Sequence, residues 1–231
     1  MIAAKKSAKV KKDLLKLRDD FIFIISSPFR WDIDQINYFL ILLAILTVGF
    51  FVDGFVRDYI KSIHSSFFDE VFALAHLYGK PPLTIFSFII FYITGLILIK
   101  DNFRIIGLKI FESFIFSGII ITIVKSIFGR WRPYTEKGFW AFSPFTIGPN
   151  DHLSFPSGDV AVAFAFSVII AGIFDNIFWK IFWYLLAILT SLGRIYHDQH
   201  WLSDVITAAA ISIYIGIHVN KIHQLKTNSE V

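Results

Sequence analysis

Apolar residues come in six long runs along the chain, separated by segments in which the polar and charged residues concentrate. A helix needs about 17–25 mostly apolar residues to cross a bilayer. Some of the runs are shorter, so we expect their ends to continue as helix into the membrane interface. The pattern predicts an all-α, polytopic membrane protein with six transmembrane helices. The predicted spans are 36–52, 83–99, 105–128, 160–174, 177–192 and 205–219.

Two segments outside the runs are also predicted to contain helix. Residues 1–35 are basic, with leucines spaced for an apolar stripe, and they either lie on an anionic membrane surface as an amphipathic helix or form a solvated tail that only fixes topology. We therefore divide the chain into 1–35, an N-terminal segment, and 36–231, a six-helix membrane domain. The loop 53–82 is expected to hold a short interfacial helix that ends at Gly79 and the following prolines.

Composition supports membrane insertion and limits the available chemistry. The chain of 231 residues is 55% hydrophobic and only 17% charged, which is too apolar for an ordinary soluble domain. It contains no cysteine, so a thiol nucleophile, a thiolate metal site and a disulfide are all excluded. Any catalysis must use other groups.

The distribution of lysine and arginine predicts the orientation. With six spans, both termini and the turn 100–104 fall on one basic side, which we take as cytoplasmic. The segment 130–155 falls on the opposite side and is basic as well, against the usual rule. This exception indicates a functional site.

Two polar clusters flank the third and fourth runs. The first, "KSIFGRWRP", places Lys125 at the end of the third run and Arg132 seven residues later; alone, these cations are compatible with contacts to lipid headgroups. The second, "PSGD", places Ser157, Gly158 and Asp159 at the start of the fourth run. Free N–H groups and the dipole of a helix start bind anions, although the same residues also form an ordinary cap.

A third polar cluster, "GRIYHDQHWLSD", lies between the fifth and sixth runs. His200 and Asp204 are four residues apart, so on a helix they share a face and hydrogen-bond. A carboxylate on one ring nitrogen leaves the other nitrogen free as a nucleophile or base. The alternative is a surface pair that caps a helix. Arg194 precedes them at the end of the fifth run.

The order of the runs brings the three clusters together. They follow the third run, precede the fourth, follow the fifth and precede the sixth, so all lie on one face of the membrane in either orientation. Polar groups at membrane depth are costly unless they face a site. Convergence on a shared anion site is therefore favoured over three unrelated surface features.

The three clusters resemble the signature of the type-2 phosphatidic acid phosphatase superfamily, Lys-x6-Arg-Pro, Pro-Ser-Gly-x and Arg-x5-His-x3-Asp. The resemblance implies that His200 attacks phosphorus to form a phosphohistidine and that Asp204 orients it. It further implies that the phosphoryl oxygens are held by Lys125, Arg132, Ser157, Gly158 and Arg194. Phosphoryl transfer needs mainly positioning and charge neutralisation, and we find no clustered metal ligands, so no metal or cofactor is expected.

The sequence departs from the family pattern at two positions. Gly193 stands where a serine is usual before the arginine. Asp159 stands where a histidine usually protonates the leaving oxygen, and a carboxylate beside three cations should have a depressed pKa and donate poorly. Asp159 is thus a tolerated gap, an acid protonated on substrate binding, or a disabling change. His152 or His197 is an alternative donor, whereas His64, His76, His218 and His223 lie outside the clusters.

We expect a metal-independent phosphatase that removes phosphate from a phosphomonoester or diphosphate of a lipid. Lipid A, a polyprenyl diphosphate and a phosphatidylglycerophosphate-like lipid are the candidate substrates. The alternatives are a lipid phosphotransferase and a non-catalytic binder or transporter of lipid phosphates. The expected partners are this lipid and the bilayer, without nucleic acid, and the oligomeric state stays open. The expected location is a bacterial inner membrane, with the site on the periplasmic face.

Overall fold

In the computed structural model, residues 2–146 and 148–229 are described, and most of them are helical. Eight α-helices follow one another within these residues, and no strand longer than an isolated bridge is found there. The helices are α1 (Ile2–Ile25), α2 (Ile33–Ser62), α3 (Ser66–Tyr78), α4 (Pro81–Leu98), α5 (Asp101–Phe128), α6 (Gly158–Ala171), α7 (Ile177–Tyr196) and α8 (Leu202–Ser229). The predicted all-α class is confirmed.

The predicted number of six spans is only partly supported, because α6 is shorter than a typical membrane-crossing helix. Five helices, α2, α4, α5, α7 and α8, are long and apolar enough to cross a bilayer, whereas α6 has 14 residues. At 1.5 Å per residue, α6 measures about 21 Å, against about 30 Å of hydrocarbon. A count of six full spans is therefore not confirmed.

Helix α6 lies inside the bundle, where it packs against α5, α7 and α8. Small residues permit this close approach: Ala163 and Ala165 are fully buried, and a Cβ added to Gly216 of α8 would lie 2.7 Å from the Val168 side chain. Because α6 is surrounded by protein, its length does not have to match the hydrocarbon thickness. The position of α6 places the "PSGD" turn among the ends of α5, α7 and α8.

The interfacial helix predicted in the 53–82 loop is present as α3. Ser65 caps its N-terminus by accepting from the Phe68 N–H, and the Thr190 hydroxyl of α7 donates to the Ala75 carbonyl at 2.8 Å. At the far end, a Cβ on Gly79 would lie 2.7 Å from the Asp159 carbonyl oxygen. Close contact with both α6 and α7 therefore sets the position of α3.

Helix α1 packs on the other end of the bundle. Lys9 pairs with Asp101 at 2.8 Å, and Asp13 accepts hydrogen bonds from Arg104 at 2.7 Å and Tyr92 at 3.0 Å. These contacts join α1 to α4 and to the first turn of α5. The N-terminal segment is thus close to residues 100–104, as the predicted orientation requires.

Cysteine labelling tests this arrangement, because the natural chain has no cysteine. Asn102 and Phe145 are exposed and lie at opposite ends of the bundle. We expect a membrane-impermeant maleimide to modify Asn102→Cys and Phe145→Cys from opposite sides of sealed vesicles, and both once detergent is added. His64→Cys, in the turn before α3, is the matched control and should be labelled from the same side as Phe145→Cys. Modification of positions 102 and 145 from the same side would contradict the topology.

Candidate active site

The "PSGD" turn supplies hydrogen-bond donors at the start of α6. Ser157 is the N-terminal capping residue, but its side chain makes no capping bond, and its buried hydroxyl has no partner in the described part of the chain. The Ser157 N–H donates to the Asp204 carbonyl at 3.1 Å. The first-turn N–H groups of a helix lack intrahelical partners, and the helix dipole is positive there. The turn therefore has the donors of an anion site.

Two cations of the first cluster lie beside this turn. Lys125, in the last turn of α5, donates to the Leu153 carbonyl, and its Cε is 3.9 Å from where a Cβ on Gly158 would be. Arg132 is held by Asn150 and Gln199, with its Nη2 2.8 Å from Asn150 Oδ1 and its Nη1 2.9 Å from Gln199 Oε1. Lys125 is within electrostatic range of Arg132, Arg194, Asp159 and Asp204.

Arg194, in the last turn of α7, brings the third cation to the same place. Its Nε is 3.2 Å from Asp159 Oδ2, an ion-pair distance, although the Nε–H is not aligned as a hydrogen bond. Its Nη1 lies 3.1 Å from His76 Nε2. All three predicted cations are thus brought together around the start of α6.

His200 and Asp204 are neighbours, as their spacing predicts. The hydrogen bond expected between them is not formed, because His200 Nδ1 is 3.5 Å from Asp204 Oδ2 and has no hydrogen-bond partner among the described residues. Asp204 also accepts bonds from Ser154 Oγ, from the Trp201 N–H at 2.9 Å and from Arg130 Nη1 at 2.7 Å. These donors fix the carboxylate next to the imidazole.

The surroundings of His200 keep its imidazole neutral. Burial lowers the pKa of His200 to about 4, and the Lys125 and Arg132 cations add to this shift, while Asp204 opposes it. At neutral pH the ring therefore keeps a lone pair available for attack. A buried neutral imidazole beside three cations can act as a nucleophile toward an anionic group.

Arg130 is a site residue that the motifs do not predict. Its side chain is fully buried between two carboxylates, with Nη1 2.7 Å from Asp204 Oδ1 and Nη2 2.7 Å from Asp53 Oδ2. Asp53 also accepts from the Ser203 N–H and hydroxyl. An aspartate close to an apolar run was the available signal, since an ionisable residue at membrane depth usually has a partner and a function.

His76 of α3 is the second unpredicted residue, and the expectation that it lies outside the clusters is wrong. Its Nε2 is 2.9 Å from Asp159 Oδ2. The described partners of Asp159 are His76, Arg194 and Lys80, whose Nζ is 4.0 Å from Oδ1. Of the two alternative donors named from the sequence, His152 lies against the ring of Trp131 and His197 against that of Tyr196.

A group of side chains that could hold a metal ion lies elsewhere in the bundle, and the sequence pattern did not predict it. Ligand atoms of Asp20, Glu112 and His223 are within 4.8 Å of one another, and His223 Nε2 is 2.9 Å from Glu112 Oε2. These residues belong to α1, α5 and α8. Along α5, Glu112 is about 20 Å from Lys125 at 1.5 Å per residue. The group is separate from the anion site.

These features define an integral membrane protein in which helix starts and cations at one end of the bundle surround a buried histidine–aspartate pair. The model of the PAP2 superfamily matches residues 106–228, just over half of the chain. The chain belongs to the PAP2 superfamily. The resemblance found in the three motifs is confirmed.

Known relatives agree with this assignment. The chain is 30% identical over 114 residues to the lipid A 1-phosphatase of Rhizobium johnstonii, covering 48% of this chain and 46% of that protein. It is 32% identical over 114 residues to the lipid A 1-phosphatase of Rhizobium etli, covering 48% of each. The matched region thus spans about half the length of these relatives.

Two solved structures share the fold. The crystal structure of Aquifex aeolicus LpxE superimposes with a TM-score of 0.57 at 22% identity, covering 74% of this chain and 95% of that one. A transmembrane PAP2 type phosphatidylglycerolphosphate phosphatase from Bacillus subtilis superimposes with a TM-score of 0.65 at 18% identity, covering 82% and 95%. At these identities, the likeness concerns the fold.

Proposed function

We propose that this protein is a membrane lipid phosphatase that hydrolyses a phosphomonoester or diphosphate of a lipid through a phosphohistidine at His200. The observation that carries the proposal is the neutral, buried imidazole of His200 beside the cationic start of α6. Family membership and the two relatives named lipid A 1-phosphatase support it. Because of these names, the 1-phosphate of lipid A is the first substrate to test.

Each site residue has a role in this proposal. Lys125, Arg132 and Arg194 neutralise the phosphoryl oxygens, and the Ser157 hydroxyl and Gly158 N–H donate to them. His200 attacks phosphorus while Asp204 orients the ring and stabilises the positive charge that develops on it. Water then attacks the phosphohistidine and releases phosphate. Positioning and charge neutralisation by these side chains supply most of what phosphoryl transfer requires.

The location of the site in the cell is part of the proposal. The protein is an integral membrane protein, and the basic turn 100–104 and α1 lie at the end of the bundle away from the site. By the positive-inside rule, that end faces the cytoplasm. We place the site on the periplasmic face of a bacterial inner membrane, with 1–35 as a basic segment at the cytoplasmic surface.

A substrate panel tests the proposed function. We expect the purified protein to release inorganic phosphate, without added metal and in the presence of EDTA, fastest from lipid A that carries only its 1-phosphate. Lipid A with only the 4′-phosphate is the matched comparison, and phosphatidylglycerophosphate, polyprenyl diphosphate and phosphatidic acid complete the panel. Transfer of phosphate to an added lipid acceptor, without free phosphate, would instead support a transferase. Binding of these lipids without any turnover would support a non-catalytic binder.

A further inference from the structure

The site contains an imidazole next to Asp159, although no motif supplies one there. In phosphate ester cleavage, the leaving oxygen departs as an alkoxide unless a neighbouring group gives it a proton. Position 159 carries a carboxylate instead of a proton-donating ring. His76 Nε2 lies 2.9 Å from that carboxylate and 3.1 Å from Arg194 Nη1, so the ring stands among the groups proposed to bind phosphate.

The packing of α3 holds this imidazole in place. Next to His76, the Ala75 carbonyl accepts from Thr190 of α7 at 2.8 Å. Three residues after His76, Gly79 lies against the Asp159 backbone, where a Cβ would come within 2.7 Å of the Asp159 carbonyl oxygen. At the start of α3, the Tyr196 hydroxyl donates to Asp69 at 2.7 Å. The contact between His76 and Asp159 is therefore built into the fold.

We propose that His76 and Asp159 together form the general acid of the reaction, with His76 carrying the proton that a histidine at position 159 would otherwise carry. This inference rests on the proposed phosphatase function. It assigns a catalytic role to an interfacial helix that lies outside all three motifs. It also gives Asp159 a function, as the acceptor that orients the His76 ring toward the leaving group.

The proton balance of the two steps is simple. First, the lone pair of His200 Nε2 forms the P–N bond, the P–O bond to the lipid breaks, and the leaving oxygen takes the proton held between His76 and Asp159. The product is a lipid alcohol and a phosphohistidine. Second, water attacks phosphorus, the P–N bond breaks, and the His76–Asp159 pair takes the proton from water. The pair returns to its protonated state.

The charges around His76 couple its proton to substrate binding. Burial lowers the pKa of His76, and the Arg194 guanidinium and the Lys80 ammonium lower it further, while Asp159 raises it. A bound phosphate dianion offsets the positive charge of Arg194 and so favours the imidazolium. His76 therefore gains its proton when the substrate arrives, at the stage when the acid is needed.

A leaving-group comparison tests this role. We expect His76→Gln to lower kcat by about 10²–10³-fold on an alkyl phosphomonoester such as phosphatidic acid, and by less than about tenfold on p-nitrophenyl phosphate, whose phenolate leaves without a proton. In the wild-type protein, kcat should decline as the pH rises and His76 loses its proton. This decline should be absent in His76→Gln. His64→Gln, two residues before the same helix, is the matched control and should change the rate on neither substrate. His152→Gln and His197→Gln test the other two histidines near the motifs.

Placing a histidine at position 159 distinguishes loss of the acid from misfolding of the His76 variant. When Asp159→His is added to His76→Gln, kcat on phosphatidic acid should rise at least tenfold above that of His76→Gln alone. The proposal is overturned if His76→Gln slows both substrates equally and Asp159→His restores nothing, or if His152→Gln or His197→Gln shows the selective loss instead. An inactive wild-type protein on every lipid phosphate would refute the proposed function itself, a distinct outcome.

Discussion

Replacement of His200 by alanine is expected to lower phosphate release by about 10⁴-fold or more, because the nucleophile that forms the covalent intermediate is lost. The buried imidazole lies 3.5 Å from Asp204 and has a pKa lowered to about 4 by burial, so it is neutral and nucleophilic at neutral pH. Quenching the wild-type protein during turnover of a labelled substrate should trap an acid-labile phosphoprotein. The same experiment on His200→Ala should trap none.

Binding and pH measurements complete the His200 test. The nucleophile contributes little to ground-state affinity, so His200→Ala should bind the substrate with a Kd within a few-fold of wild type. In the wild-type protein, kcat/KM should fall as the pH drops through about 4, where His200 takes up a proton, well below the value of an ordinary histidine. Wild-type turnover by His200→Ala would end the phosphohistidine mechanism.

Replacement of Arg130 by methionine is expected to destabilise the protein by about 3–5 kcal/mol, because two buried carboxylates lose their shared cation. Asp53 and Asp204 are 1% and 0% exposed, and Arg130 contacts each at 2.7 Å. Thermal unfolding of the purified variant in detergent measures the loss. Activity should fall as well, since Asp204 then loses one of the donors that hold it beside His200.

Two variants serve as controls for Arg130. Lys61→Met removes a half-exposed cation that pairs with Glu136 and Asp198, and it should cost no more than about 1 kcal/mol. Adding Asp53→Asn to Arg130→Met removes one of the stranded charges and should recover part of the lost stability. If Arg130→Met unfolds at the wild-type temperature, the buried ion pairs do not hold α2 to the site.

Much of this architecture was predictable because it is recorded in local sequence. Long apolar runs predict helices, and their order alone places Lys125, Arg132, Arg194 and His200 at one end of the bundle. The enclosure of α6 by protein was not predicted. A run flanked by turns gives no sign that protein rather than lipid surrounds the helix, and a surrounded helix can be short.

The unpredicted residues have partners far away in sequence. Asp53 meets Arg130 across 77 residues, and His76 meets Asp159 across 83. Nothing in the local spacing around His76 shows that α3 folds onto the start of α6. The sequence therefore left three interpretations of Asp159 open. The contact with His76 supports a fourth, the proposal that Asp159 orients an acid carried by His76.

The contacts of Asp53 and His76 also show how the site depends on residues outside the matched family region. Both residues precede residue 106, where the match to the PAP2 superfamily begins, yet each touches a residue inside it. The part of the chain that the family model matches carries all three motifs, while the Arg130–Asp53 and His76–Asp159 contacts also need helices that precede it. A relative with different first helices would keep the three motifs. It would still differ in the contacts that hold the aspartate equivalent to Asp204 and in the source of the proton for the leaving group.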